Sequence, residues 1–159
     1  MKADIGNINE SVVKRLIEKK LKISAAESCT GGLFTALITD VSGASEILEE
    51  SIVTYSNEAK MRELGVKKET LESVGAVSHD TAKQMAEGIC AHTGADVGVG
   101  ITGIAGPGGG TADKPVGTVF VAVCANGNTV VKELHLNGNR EQVREQTCKI
   151  AFEMVENQI

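Results

Sequence analysis

Seven of the thirteen residues from Gly98 to Gly110 are glycine, and only one other residue in that run, Thr102, carries a polar side chain. The stretch opens as an apolar strand, Asp96 to Ile101, whose glycines permit close packing. From Thr102 it becomes a loop with few side chains, which leaves backbone N–H groups open to an anion or to another backbone. A second glycine turn, Ala26-Glu27-Ser28-Cys29-Thr30-Gly31-Gly32, also follows an apolar run. In an open α/β sheet, ligands bind beyond the carboxyl ends of the strands. Two strands that end in such turns therefore point to one shared pocket.

The rest of the chain fits that frame. Ile8, Val12, Val13, Leu16 and Ile17 recur at helical spacing and predict a helix ending near Lys22. Ile23 to Ala26 reads as a short strand and Thr30 to Thr39 as a helix. Ser51 to Tyr55 is β-branched and aromatic, a strand, and Ser56 or Asn57 then caps a helix closed by Gly65. Lys68 to Val74 and Ser78 to Thr93 read as two further helices. Val116 to Ala125 is continuously apolar, a strand buried on both faces. Ala125-Asn126-Gly127-Asn128 is a hairpin turn leading to a partner strand, Thr129 to Leu136. Arg140 to Glu156 predicts the last helix. The expected fold is α/β: a three-layer sandwich around a mixed, mostly parallel sheet with a late antiparallel hairpin.

The length of 159 residues suits one domain, 1–159, with a core that needs no disulfide or metal staple. A net charge of −5 argues against nucleic acid or a membrane surface as partner. No apolar run approaches the about 18 residues that span a bilayer, and the N-terminal stretch Met1 to Asn7 has no signal-peptide core. A cytoplasmic location is expected. Cys29, Cys90, Cys124 and Cys148 show no C-x-x-C pairing, and His79, His92 and His135 lack ligand spacing, so no metal site is predicted.

Three strand ends carry polar residues suited to chemistry. Ser28 lies on a strand-to-helix turn, where free N–H groups at a helix start can stabilise an oxyanion. A serine nucleophile needs a base. No histidine is placed to serve, whereas Lys60 lies in the first turn of the helix after the second strand, where partial desolvation lowers a lysine's pKa. Tyr55 ends the same strand and is placed to relay a proton. The competing reading makes Ser28 a helix cap and Lys60 a solvated charge. Cys29 is a rival nucleophile, because a thiol at a helix N-terminus is acidified. Thr102 and the glycine loop suit a phosphate. The loop lacks the G-x-x-x-x-G-K-[ST] pattern, and the G-x-G-x-x-G match at Gly98–Gly103 lies inside a strand, which weakens a dinucleotide reading. Arg140 and Arg144, at the start of the last helix, can each pair with a phosphate.

Five segments in order, Ala26–Gly32, Tyr55–Lys60, Gly75–Ser78, Thr102–Pro107 and Lys114–Val119, resemble the CinA C-terminal domain family, the nicotinamide-nucleotide amidases. The resemblance runs from about Leu21 to Arg144. It implies a hydrolase without cofactor or metal that converts nicotinamide mononucleotide to nicotinate mononucleotide and ammonia. It places the nucleophile on Ser28, the catalytic lysine on Lys60 and the assisting tyrosine on Tyr55. Thr30, Gly31, Thr102, Gly103, Gly106, Arg140 and Arg144 are the residues expected to bind substrate. The family's G-D-R segment reads Gly138-Asn139-Arg140 here, which leaves Arg144 as the second candidate for the arginine. The resemblance further implies a homo-oligomer, and a stand-alone form of a domain that many relatives carry beside an N-terminal one. A non-catalytic pyridine-nucleotide-binding regulatory module is the alternative, and it needs the phosphate cradle but not Lys60.

Overall fold

The computed structural model describes residues 4–159; Met1 to Ala3 of the N-terminal stretch lie outside the described residues. Five strands form one sheet in the order β2-β1-β3-β4-β5, with β1 Ile23–Glu27, β2 Leu48–Val53, β3 Val97–Gly103, β4 Thr118–Ala125 and β5 Asn128–His135. β1 pairs in parallel with β2 and β3, while β4 is antiparallel to both its neighbours. Four strands therefore run one way and β4 alone runs back. The β4–β5 hairpin turns at Asn126 and Gly127, both at positive φ, the backbone that a tight two-residue hairpin demands.

Helices cover both faces. α1 (Ile8–Lys19), α2 (Leu33–Thr39) and α6 (Arg140–Gln158) pack on one; α3 (Asn57–Leu64), α4 (Lys68–Ser73) and α5 (His79–Thr93) lie on the other. Alternation along β1 and β3 decides which residue faces which layer. Ile23, Ala25, Val97, Val99 and Ile101 join the core under α1, α2 and α6, where Phe34 and Phe152 meet at 4.4 Å between ring centroids. Ala26, Met85 and Ile89 belong to the core under α3 and α5. The glycines of β3 serve that second layer. A Cβ on Gly98 would stand 2.5 Å from the Ala86 carbonyl oxygen, and one on Gly100 would stand 2.7 Å from the Ala86 nitrogen. α5 lies so close to the sheet that only glycine fits beneath it.

Element boundaries depart from the sequence expectation in three places that matter. α2 starts at Leu33, not Thr30, because Gly31 and Gly32 adopt positive φ (+59° and +100°) and hold residues 28–32 in a turn. β2 ends at Val53, so Tyr55 lies beyond the strand, in the connection that Ser56 closes by capping α3. β4 starts at Thr118, because Pro115 to Thr118 forms a turn with Thr118 N–H on the Pro115 carbonyl. No helix among the described residues is long and apolar enough to cross a membrane.

Candidate active site

Three strand ends meet at one edge of the sheet. β1 delivers Ser28, β2 delivers Thr54 and Tyr55, and β3 delivers Thr102 and the glycine loop. Lys60 comes from the first turn of α3, whose start is fixed by the Ser56 hydroxyl accepting from the Ala59 N–H at 3.1 Å. That cap aims the lysine back under the β2 end.

Lys60 is 1 % exposed. Its Nζ donates to the Thr54 carbonyl at 2.7 Å and to the Tyr55 carbonyl at 3.3 Å, and lies 3.1 Å from the Ser28 hydroxyl. Three acceptors surround three possible N–H bonds. In the neutral amine, the two carbonyls take the two N–H groups that remain, and the lone pair is left facing Ser28 Oγ. Burial lowers the Lys60 pKa from the ordinary lysine value, which favours that neutral form. The solvated-charge reading of Lys60 does not hold, and Ser28 caps no helix.

Cys29 is excluded as the rival. It is buried in the α1, α2 and α6 core, and burial pushes its thiol up to about 12. A backbone N–H at the turn pulls the thiol the other way but is outweighed by burial, because the turn faces the thiol inward while Ser28 faces Lys60 of α3. The histidines stand elsewhere: His79, His92 and His135 are exposed and lie beside Asp80, Glu50 and Glu133. Among the described residues no three His, Cys, Asp or Glu side chains are grouped so as to hold a metal ion.

The remaining predicted residues divide into those that border the site and those that build it. The exposed Tyr55 hydroxyl accepts from Arg140 Nη2 at 3.1 Å, and Arg140 Nη1 donates to the Gly106 carbonyl at 2.7 Å. A chain of contacts thus runs Ser28–Lys60–Tyr55–Arg140–Gly106. It is the Tyr55 carbonyl that meets Lys60; its phenol is turned to Arg140 and is not linked to Ser28. Arg144, half-buried one turn further along α6, donates to the Thr30 carbonyl at 2.7 Å and steadies the Ser28 turn. The Thr30 hydroxyl donates to Glu27 at 2.7 Å. Gly31 stands beside Arg144: a Cβ there would lie 3.7 Å from Nη2. The Thr102 hydroxyl donates to the Ala76 carbonyl at 2.9 Å, which ties β3 to the Gly75–Ser78 segment. Gly103 lets β4 approach: a Cβ there would lie 2.7 Å from Val119 Cγ2.

The glycine loop is anchored at its base, where the Ile104 N–H donates to Thr118 and the Gly117 N–H to Ile104. Ala105 is 4 % exposed and belongs to the core, so the loop is not a free tether. Lys114 Nζ donates to the Val74 carbonyl at 2.6 Å and fastens its far arm. A shallow depression of ≈ 460 Å³ lined by Asn137, Gln142, Glu145 and Lys149 lies along α6 and shares no residue with this site.

A family model for the CinA C-terminal domain matches residues 6–159. The chain belongs to that family. It is 50% identical over 149 residues to the CinA-like protein of Kosmotoga olearia, an overlap of 94% of this chain and 36% of that protein. The chain spans about a third of the length of the curated relatives it matches, 35% in a Clostridium acetobutylicum relative at 52% identity. Among solved structures, the competence/damage inducible protein CihA from Agrobacterium tumefaciens superposes with a TM-score of 0.95 at 42% identity, covering 99% of this chain and 96% of that one. A CinA superfamily protein from Escherichia coli gives 0.93 at 32% identity, covering 100% and 94%.

Two groups escaped the sequence reading. The backbone carbonyls of Thr54 and Tyr55 left no residue-type signal. Glu27 did leave one, a carboxylate directly after the apolar run Ile23–Ala26 and ahead of a Gly-Gly turn.

Proposed function

We propose that this domain hydrolyses the carboxamide of nicotinamide mononucleotide, giving nicotinate mononucleotide and ammonia. The observation that carries the reading is the buried Lys60 amine 3.1 Å from the Ser28 hydroxyl, with both neighbouring carbonyls already on its nitrogen. Neutral Lys60 takes the Ser28 proton as Oγ attacks the carboxamide carbon. The ammonium so formed finds three acceptors, so no charge is left unpartnered at the moment of transfer. Lys60 then returns the proton to the departing nitrogen, ammonia leaves, and an acyl group remains on Ser28. Water, deprotonated by the same amine, releases the acid.

The first N–H groups of α2 are not the oxyanion donors. Gly32, Phe34 and Thr35 donate to Glu27, Gly31 donates to Ser28 and Leu33 to Thr30. The backbone from Ser28 to Thr30 is left for that task. Arg140 is the arginine suited to a phosphate, because it is exposed and its guanidinium spans the mouth between Tyr55 and the glycine loop; Arg144 is held on Thr30. In this reading Thr102, Gly103 and Gly106 shape the loop rather than offer side chains to the substrate.

Ammonia release from nicotinamide, its riboside and its mononucleotide tests the assignment. The mononucleotide alone is turned over if the phosphate is read by Arg140 and the loop. Equal turnover of all three contradicts it. Binding of the mononucleotide without turnover, unchanged in Lys60→Ala, would favour the regulatory module instead.

A further inference from the structure

Glu27 is 1 % exposed, and among the described residues it makes no ion pair. Its carboxylate is held entirely by hydrogen bonds. Oε1 accepts from the Thr30 hydroxyl at 2.7 Å and from the N–H groups of Gly32 at 3.2 Å and Phe34 at 3.0 Å. Oε2 accepts from the Thr35 N–H at 3.0 Å and the Thr35 hydroxyl at 2.7 Å. An ionised carboxylate offers only acceptors, and here both oxygens face only donors, at the positive end of α2. Capping a helix of seven residues needs far less than this, since one Ser or Asp side chain commonly serves.

The backbone of the same residue reaches the other half of the site. The Glu27 carbonyl accepts from the Thr54 N–H at 2.9 Å, and Thr54 carries the carbonyl that holds Lys60 Nζ at 2.7 Å. One residue is thus bonded through its side chain to the turn that bears Ser28, and through its main chain to the residue that holds Lys60.

We infer that Glu27 is a positioning residue for the Ser28–Lys60 pair: it fixes the turn and the β2 end in the register that keeps Oγ and Nζ in contact. The inference rests on the amidase reading. Glu27 acts through Ser28 and Lys60 and does not itself meet substrate. Charge-assisted bonds of this number leave little play, and reaction rates fall steeply when a nucleophile shifts by about 1 Å.

Glu27→Gln tests it. The amide keeps the shape but must turn an NH2 toward donors, whichever way it is flipped. In folded protein, judged by thermal melting and circular dichroism, kcat for nicotinamide mononucleotide falls by about tenfold to a hundredfold, with KM changed by less than about threefold. Labelling of Ser28 by a fluorophosphonate probe, followed by intact mass, slows in the same proportion. Thr35→Val removes one hydroxyl donor from Oε2 without touching the carboxylate, and slows labelling by a smaller factor. If Glu27→Gln does not fold, Thr35→Val alone decides. Labelling at the wild-type rate in the folded variants overturns the inference. Wild type that takes the probe but releases no ammonia overturns the amidase reading while the labelling ratios still judge Glu27. Wild-type Ser28 that resists the probe overturns both.

Discussion

Among single residues, Lys60 stands furthest from its ordinary setting. A lysine with 1 % exposure keeps an amine in place of a core side chain, an arrangement that helps neither packing nor solvation. In the proposed mechanism it supplies a base with one open direction. Burial lowers its pKa, so the rate should rise with pH along a limb whose midpoint lies below the ordinary lysine value of 10.5. Lys60→Met retains the stem and removes the base. It is expected to lower kcat by about a thousandfold or more, while mononucleotide binding, followed by calorimetry, stays within about threefold. A Lys60→Met enzyme with near wild-type kcat would leave the proton of Ser28 unaccounted for.

At the scale of elements, the glycines of β3 set how close α5 can lie, and through α5 where the Gly75–Ser78 segment meets Thr102. Gly100→Ala would drive a methyl group against the Ala82 carbonyl oxygen and the Ala86 nitrogen, both backbone atoms of a helix that cannot yield locally. A loss of about 1–3 kcal/mol in urea unfolding is expected. No loss would mean that α5 can move off the sheet. These elements were largely legible in the sequence, because apolar periodicity and end signals coincide: Ser56 and Gly65 bound α3, Ser78 and Gly94 bound α5, and Asn126-Gly127 makes the hairpin. The α2 start at Leu33, three residues past the expected Thr30, was not legible, because only the positive φ of Gly31 and Gly32 carries the turn on. Ser28 and Lys60 were legible as a pair through their strand ends. The turn of Cys29 into the core was not, since adjacent residues on a turn are sorted by packing. Nor was the direction of the Tyr55 phenol, which follows from an arginine 85 positions away.

The whole molecule shows the same economy in its ionisable groups. Burial raises the thiols of Cys29 and Cys90 to about 12 and holds Cys148 well above 9.0. In the unfolded chain these thiols ionise near 9.0. Above that pH the unfolded state binds fewer protons than the folded one. Stability is therefore complete below 9.0 and falls as pH rises toward 12, by about 1.4 kcal/mol per pH unit for each of the two fully buried thiols, Cys29 and Cys148. Lys60 acts in the opposite sense. Its folded pKa lies below 10.5, so its cost is present at neutral pH and eases as pH approaches that value. The two buried thiols outweigh one amine, and urea midpoints should drop between about pH 8 and about pH 10; a rise would mean that the thiols are hydrated in the folded state. The proposed chemistry turns on two atoms, Ser28 Oγ and the Lys60 nitrogen 3.1 Å from it. The most direct test is ammonia release from nicotinamide mononucleotide by wild type and by Ser28→Ala, with the protein mass followed during turnover. Ammonia and a transient acyl adduct on Ser28 are expected in wild type, and neither in Ser28→Ala. Undiminished ammonia release by Ser28→Ala would contradict the proposed chemistry.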